Sequence, residues 1–255
     1  MKLSNLWNRG AVQPPVDRNF FASWKGFCPI CLKDTTFTAK TAWFRDNLFC
    51  ESCEGGSIPR ERALMLALRH DVSNWKELYI HESSPAERGV SKYLQRNASR
   101  YLPTHYFPDT PPGHLHGETR CENLEAQTFA DSTFDVVITQ DVMEHVFNPM
   151  AAYQEIYRTL KPGGCYIHTT PIYKGLTETV RRASLNADTT INHIFEPEYH
   201  GNPISGEGSL VTFHYGYDLA DLIAEWTPFD VEIRRFNDRK HGIVAEFTEV
   251  IICRK

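Results

Sequence analysis

The chain of 255 residues has no apolar run near the ~20 residues that a bilayer-crossing helix needs. Its first residues, MKLSNLWNRG, lack the apolar core of a secretory signal. Those two absences predict a cytoplasmic protein with no membrane partner. A disulfide framework is missing too: four of the seven cysteines form two close pairs, and Cys121, Cys165 and Cys253 stand apart at expected strand positions, as small buried residues do. No internal repeat or low-complexity tract interrupts the chain. Nor is there a broadly basic surface. The formal net charge is -5, with ten Lys/Arg against six Asp/Glu over residues 1–70 and 17 against 26 over the remainder. That balance argues against a nucleic-acid face on the main part of the chain and leaves a basic patch open only near the amino end.

What is present suffices for a full core. At 41% apolar residues, this length permits one large domain, or one domain plus a small module. The most informative stretch runs from Phe134 to Pro171. A β-branched run, FDVVIT, stops at the charged cluster Gln140-Asp141-Val142-Met143-Glu144-His145, as a buried strand does when it delivers polar groups to the carboxyl edge of a parallel sheet. A helix follows: Asn148 is a cap, Pro149 suits the first position, and Met150, Tyr153, Ile156, Tyr157 and Leu160 recur at helical spacing until Pro162-Gly163-Gly164 ends it. A second apolar run completes a right-handed strand-helix-strand unit.

FDVVITQDVMEHV followed by LKPGGCYIHTTP resembles the fourth and fifth strands of class I S-adenosylmethionine-dependent methyltransferases, particularly their type 11 group. The resemblance implies an α/β, Rossmann-like doubly wound sheet with an antiparallel last strand over residues 76–255. It also implies S-adenosylmethionine as cofactor. Phe229–Ile233 and Glu246–Ile252 fit the antiparallel closing hairpin of that family. Gln140 and Asp141 are then expected beside the cofactor's sulfonium, with Glu144 and His145 at the next turn, His145 being either a loop anchor or a catalytic group.

Ahead of this domain lie Cys28-Pro29-Ile30-Cys31 and Cys50-Glu51-Ser52-Cys53, two C-x-x-C pairs separated by eighteen residues. This is the spacing of a four-cysteine zinc ribbon, whose short strands are expected at Thr36-Phe37-Thr38 and Ala42-Trp43-Phe44. A redox reading would need one such pair in a thioredoxin-like context, which is absent. Four thiolates leave no open coordination position, so zinc at Cys28, Cys31, Cys50 and Cys53 is expected to be structural. The predicted organisation is therefore an arm over 1–25, a ribbon over 26–56, a linking helix over 57–75 with Pro59 in its first turn, and the main domain.

The first strand of the main domain, Glu77–Ile80, leads to His81-Glu82-Ser83-Ser84-Pro85. The resemblance implies that Glu82, Ser83 and Ser84 approach the methionine part of the cofactor, yet the family's G-x-G turn is missing here. Ser84-Pro85-Ala86-Glu87 has the capping-box pattern, which predicts a helix start aimed at an anion, or simply a cap. Gly89 allows close packing there, and Val90, Tyr93 and Leu94 face the sheet. Asp109, after a second strand expected over Thr104–Asp109, is the family's ribose position; its other reading is the start of a turn. Glu122 and Asn123 are carried over as adenine contacts.

Residues 172–216 form a connection too long to be a plain loop and predict a substrate insert ahead of a helix over Tyr217–Trp226. Its histidines His193, His200 and His214 offer near-neutral groups, and His200 is the first choice for a general base, packing being the other role for each. The leading expectation is O- or N-methylation of a small polar acceptor such as a sugar or secondary metabolite. RNA methylation, and a noncatalytic binder on a degenerate fold, are the competing readings.

Overall fold

The structure, a computed structural model, describes residues 21–202 and 206–255. Residues 1–20 of the expected arm, and Pro203 and Ile204 of the insert, lie outside the described residues.

The chain opens with β1 (Ala22–Cys28), β2 (Lys33–Ala39), the single helical turn α1 (Phe44–Asn47) and β3 (Leu48–Cys50), forming a three-stranded antiparallel sheet in the order β1-β2-β3. The expected strand at Ala42-Trp43-Phe44 is instead the approach to α1. The third strand starts at Leu48, where the side chain is fully buried and Phe37 pairs with Cys50. Helix α2 (Pro59–Asp71) follows, with Pro59 in its first turn as expected. Its residues Leu64, Met65 and Leu68 are fully buried, each contributing about 1.5–3 kcal/mol of transfer free energy.

The main sheet has eight strands in the order β16-β17-β9-β8-β4-β5-β7-β6. They are β4 (Tyr79–Ser83), β5 (Arg100–His105), β6 (Leu115–His116), β7 (Thr119–Cys121), β8 (Phe134–Gln140), β9 (Leu160–Thr169), β16 (Asp230–Arg235) and β17 (Glu249–Arg254). Strands β9, β8, β4, β5 and β7 run parallel, and β17 is antiparallel to both β9 and β16. Strand order reverses at β4, which sits between β5 and β8. Side-chain alternation sorts two cores. Ile80, Val136, Ile138, Ile167, Val250 and Ile252 pack against α2 and α3 (Gly89–Asn97), whereas Val137, Tyr166, Ile251 and Cys253 pack against α4 (Pro149–Thr159) and α5 (Leu219–Trp226). Helices thus cover both faces, the doubly wound Rossmann-like arrangement that the resemblance implied.

The small module has no core of its own: Trp24, Ile30, Phe37 and Leu48 share one cluster with α2 and the main sheet. Strand β1 also leans on the loop between β16 and β17, where Phe27 N donates to Lys240 O at 2.9 Å and Trp24 Nε1 to Arg239 O at 2.9 Å.

Several expected boundaries moved for identifiable reasons. No helix starts at Ser84: residues 84–88 form a loop, α3 begins at Gly89, and its N-cap Arg88 makes no side-chain cap bond, so the capping-box reading of Ser84 and Glu87 is corrected. The second strand ends at His105, four residues before Asp109. Lys161-Pro162-Gly163-Gly164 does not follow the helix as a loop but lies inside β9, at a register irregularity against β8. A side chain at Gly164 would press on the carbonyls of Lys161 and Asp135, which accounts for glycine there. Asn148 caps α4 as expected, accepting from Ala151 N at 3.2 Å, but Met150 points to solvent.

The insert folds as three two-stranded ladders from β10 (Val180–Arg181), β11 (Ala183–Leu185), β12 (Ile191–His193), β13 (Tyr199–His200), β14 (Ser209–Leu210) and β15 (Phe213–His214), paired β10-β15, β11-β12 and β13-β14.

Candidate active site

The carboxyl ends of β4 and β8 meet at the point where strand order reverses, the position at which open α/β sheets take ligands. Glu82, near the end of β4, is fully buried and accepts three hydrogen bonds: from Ser91 Oγ (2.6 Å) and Gln140 Nε2 (2.8 Å) at Oε1, and from Tyr101 OH (2.7 Å) at Oε2. Burial pushes its pKa up, against the pull of those three donors. The turn that follows is glycine-poor but not blocked. Ser84 itself adopts φ 56°, the left-handed conformation that a glycine would supply, while its N–H donates to Thr104 O at 2.7 Å. Gly89, also at positive φ, is required by packing: a Cβ there would collide with the buried Glu61 carboxylate, which holds Arg88 Nε at 3.0 Å.

At the end of β8, Asp141 lies in the same left-handed region (φ 53°) and is reached from the cysteine module. Arg45 Nη2 donates to Asp141 Oδ2 at 2.7 Å, Arg60 Nε lies 2.9 Å from the same oxygen, and Thr169 Oγ1 donates to Oδ1 at 2.9 Å. The two guanidiniums hold the carboxyl well below the usual carboxylate range despite its burial. Neither arginine was singled out in the sequence. The only available signal was the local excess of basic residues near the amino end, which does not say which of them turn inward.

Other expected cofactor positions are otherwise engaged. Glu122 is buried and spends both oxygens on the β7–β8 connection, accepting from Arg120 Nε (2.8 Å), Thr128 Oγ1 (2.5 Å) and Thr128 N (3.0 Å). Asn123 Oδ1 accepts from Glu125 N at 2.9 Å, an Asx turn. Asp109 is exposed in a turn beyond β5, away from the strand end where a ribose contact was expected. Glu82, Ser83, Ser84, Gly89, Gln140 and Asp141 are therefore brought together at the rim, and Asp109 is not.

The four cysteines converge. Their sulfurs lie within 4.8 Å of one another, with Cys28 Sγ 3.5 Å from Cys53 Sγ. Tetrahedral Zn–S bonds of about 2.3 Å imply sulfur-sulfur edges of about 3.8 Å, so the cage suits zinc. Burial, then the charges of Cys28 and Cys50, push the Cys31 thiol up to about 12. Buried Arg62 lies alongside, donating to Leu48 O (3.0 Å) and Gly242 O (2.7 Å) and sitting 4.6 Å over Phe37; burial lowers its pKa to about 10.

The insert is fastened to the 143–146 turn just past the rim. Thr212 N and Oγ1 donate to Glu144 O (2.8 and 3.0 Å), and Tyr215 OH donates to Met143 O (2.9 Å). This brings His200 against His145, ring centroids 5.2 Å apart and perpendicular. Glu144, 1% exposed, accepts from Thr170 Oγ1 at Oε2 (2.8 Å), and among the described residues its Oε1 has no hydrogen-bond partner. Beside it, Glu144 and then Glu198 hold the His200 imidazole above its ordinary pKa.

A mostly parallel, doubly wound sheet with a polar rim at its switch point defines a Rossmann-like α/β protein. Residues 90–168, from α3 through β9, match the family model described as a methyltransferase domain. Short stretches also align with curated relatives. One is 44% identical over 45 residues to a ubiquinone biosynthesis O-methyltransferase of Parvibaculum lavamentivorans, covering 18% of each chain. Another is 50% identical over 42 residues to a ubiquinone/menaquinone biosynthesis C-methyltransferase of Hydrogenovibrio crunogenus, covering 16% of each. The aligned stretches thus span less than a fifth of these relatives' lengths. Among solved structures, an S-adenosylmethionine-dependent methyltransferase of Mesorhizobium loti is similar over 76% of this chain and 98% of that one, at 13% identity and a TM-score of 0.49. A 1,6-didemethyltoxoflavin-N1-methyltransferase of Burkholderia thailandensis with bound S-adenosylhomocysteine is similar over 77% and 78%, at 14% identity and a TM-score of 0.47.

Proposed function

We propose that this chain is an S-adenosylmethionine-dependent methyltransferase acting on a small polar acceptor. The observation that carries this reading is positional: the segment matching a methyltransferase domain, residues 90–168, supplies Gln140 and Asp141 to the rim, where they meet Glu82, Ser83 and Ser84 from the end of β4. The rim residues fit the methyl donor in two respects. Ser84 takes the left-handed path of a glycine-rich turn, and the Arg45-Asp141-Arg60 cluster provides charges of both signs for the donor's amino-acid end. Glu82, Ser83, Ser84, Gln140 and Asp141 are the residues that would hold it.

Bound there, the donor supplies an activated methyl group on sulfur, so the protein's contribution is alignment and exclusion of water. The insert provides the cover, since its fastening to Met143, Glu144 and Val146 stands next to the rim. The Cys28, Cys31, Cys50 and Cys53 cage holds a structural zinc ion in this reading, with Arg62 offsetting part of the negative charge of four thiolates. The curated relatives named above belong by their names to ubiquinone and menaquinone biosynthesis, and their kinship favours a small molecule over RNA as the acceptor.

Calorimetric titration of the purified protein with S-adenosylmethionine and S-adenosylhomocysteine tests the reading. Saturable heat with one equivalent of either ligand is expected, and it should be lost in Glu82→Ala. Absence of heat at millimolar ligand would reject it and favour a fold kept without cofactor affinity.

A further inference from the structure

Glu144, His145 and His200 place one carboxylate oxygen and two imidazole nitrogens within 4.8 Å of one another. Glu144 Oε1 faces His200 Nδ1 at 3.7 Å and His145 Nε2 at 3.9 Å, both too long for hydrogen bonds. That oxygen is buried and has no hydrogen-bond partner among the described residues, whereas its sister Oε2 takes the Thr170 hydroxyl. A buried carboxylate oxygen without a partner costs on the order of 1–3 kcal/mol or more, so one aimed at two imidazoles calls for a reason.

The far sides of both rings supply it. His145 Nδ1 lies 2.9 Å from Leu210 O, an oxygen that can only accept, so this nitrogen carries a hydrogen and, in the neutral imidazole, Nε2 presents its lone pair toward Glu144. His200 Nε2 lies 3.4 Å from the Glu198 carboxylate, which in turn meets His214 Nε2 at 2.8 Å and Arg182 Nη2 at 3.5 Å. With Nε2 turned to Glu198, His200 Nδ1 is the nitrogen that faces Glu144. Imidazoles that ligate metals are oriented in this way, each with its second nitrogen held by a carbonyl or a carboxylate.

We propose that Glu144, His145 and His200 form a second metal site, distinct from the four-cysteine cage, that takes a divalent first-row cation such as Mn²⁺, Co²⁺ or Zn²⁺ through one carboxylate oxygen and two imidazoles. Ligand bonds of about 2.0–2.2 Å imply donor separations of about 3.4 Å in a tetrahedral site, so small side-chain rotations close the present 3.7 and 3.9 Å spacings. Three protein ligands leave coordination positions open, unlike the closed cysteine cage. His200 is then a ligand rather than the general base expected from the sequence.

The site borders Asp141 on one side and the insert on the other, where an acceptor oxygen can complete the coordination and be polarised. The metal site stands whether or not methyl transfer occurs; only its use on an acceptor rests on that reading.

The test uses the full chain with its cysteine cage loaded with zinc. Titration with Mn²⁺, followed by loss of the free-ion electron paramagnetic resonance signal, is expected to show one bound equivalent. Co²⁺ should give a visible spectrum without sulfur charge-transfer bands. Glu144→Gln and His200→Ala are each expected to weaken uptake at least about tenfold with cage zinc unchanged, and His193→Ala, on the exposed β12, should leave uptake unaltered. Circular dichroism checks folding, and should Glu144→Gln fail to fold, the half-exposed His200 still decides the matter. No Mn²⁺ or Co²⁺ uptake at millimolar ion, as for an imidazolium merely held between two carboxylates, overturns the site, and so does uptake that survives both substitutions. Cofactor titration is a separate measurement, so failure of one reading does not mask failure of the other.

Discussion

At the scale of single residues, the rim is built by side chains in unusual states. Ser84 carries a left-handed backbone that costs a non-glycine residue on the order of 1 kcal/mol. Ser84→Gly should therefore raise the unfolding free energy by about 0.5–1 kcal/mol in urea titration, and no gain or a loss would show that the hydroxyl matters more than the backbone. Two histidines are buried neutral inside the sheet. His81, against Thr104 and stacked on Phe134, and His168, between Tyr153 and Tyr166, are both pushed down to about 3 by burial. Above pH ~6.5 neither state is protonated. Between ~6.5 and about 3 only the unfolded chain takes up the protons, so stability falls as pH falls, by up to about 1.4 kcal/mol per pH unit for each ring. His81→Phe and His168→Phe should each flatten that slope by about one proton, even if they lower stability at pH 8 by orphaning a hydroxyl. An unchanged slope would mean that these rings are already solvated in the folded state.

At the scale of elements, the β8-α4-β9 unit was legible because its signals are local: β-branched runs, an Asn-Pro helix start and apolar residues at helical spacing. The α3 start was not. Ser84-Pro85-Ala86-Glu87 has the local chemistry of a cap, but Ser91, seven residues on, captures both Ala86 N and the Glu82 carboxylate, and the helix starts only at Gly89, where the Glu61 carboxylate leaves no room for a side chain. Tertiary bonds outbid local ones. The cysteine module was legible from spacing, although its third strand was displaced to the residues leading into Cys50. Because the module shares its core with α2 and the sheet, metal removal should not melt it separately. Chelation at neutral pH, or Cys28→Ser with Cys50→Ser, is expected to shift the single unfolding transition of the whole chain downward by several degrees and to release one zinc per chain. Two separated transitions in calorimetry would show that the module is energetically independent.

At the scale of the molecule, Arg62 ties three distant segments together: α2, Leu48 of β3 and Gly242 of the β16–β17 loop. Truncation leaves the carbonyls of Ser57, Leu48 and Gly242, and the four-cysteine cage, without their cation. Arg62→Met should cost about 3 kcal/mol or more and weaken zinc retention against chelator, measured by denaturation and by metal analysis. A cost below about 1 kcal/mol would show that water replaces the guanidinium easily. The same long-range logic places Arg45 and Arg60 on Asp141, joining the cysteine module to the rim across nearly a hundred residues of sequence.

Periodicity and spacing sufficed for the β8-α4-β9 unit, the convergence of the four cysteines and the stretch ending at Gln140 and Asp141, while the rest of the doubly wound sheet was legible only through the resemblance those local signals carry. Which charges meet was decided only by folding. Asp141 lies between two arginines, Glu122 is consumed by its own loop, Asp109 is left in solvent, and Glu144 faces His145 and His200. The meetings of Asp141 with Arg45 and Arg60 and of Glu144 with His200 join segments more than 50 residues apart, and electrostatic partners at that range leave no periodic trace along a chain.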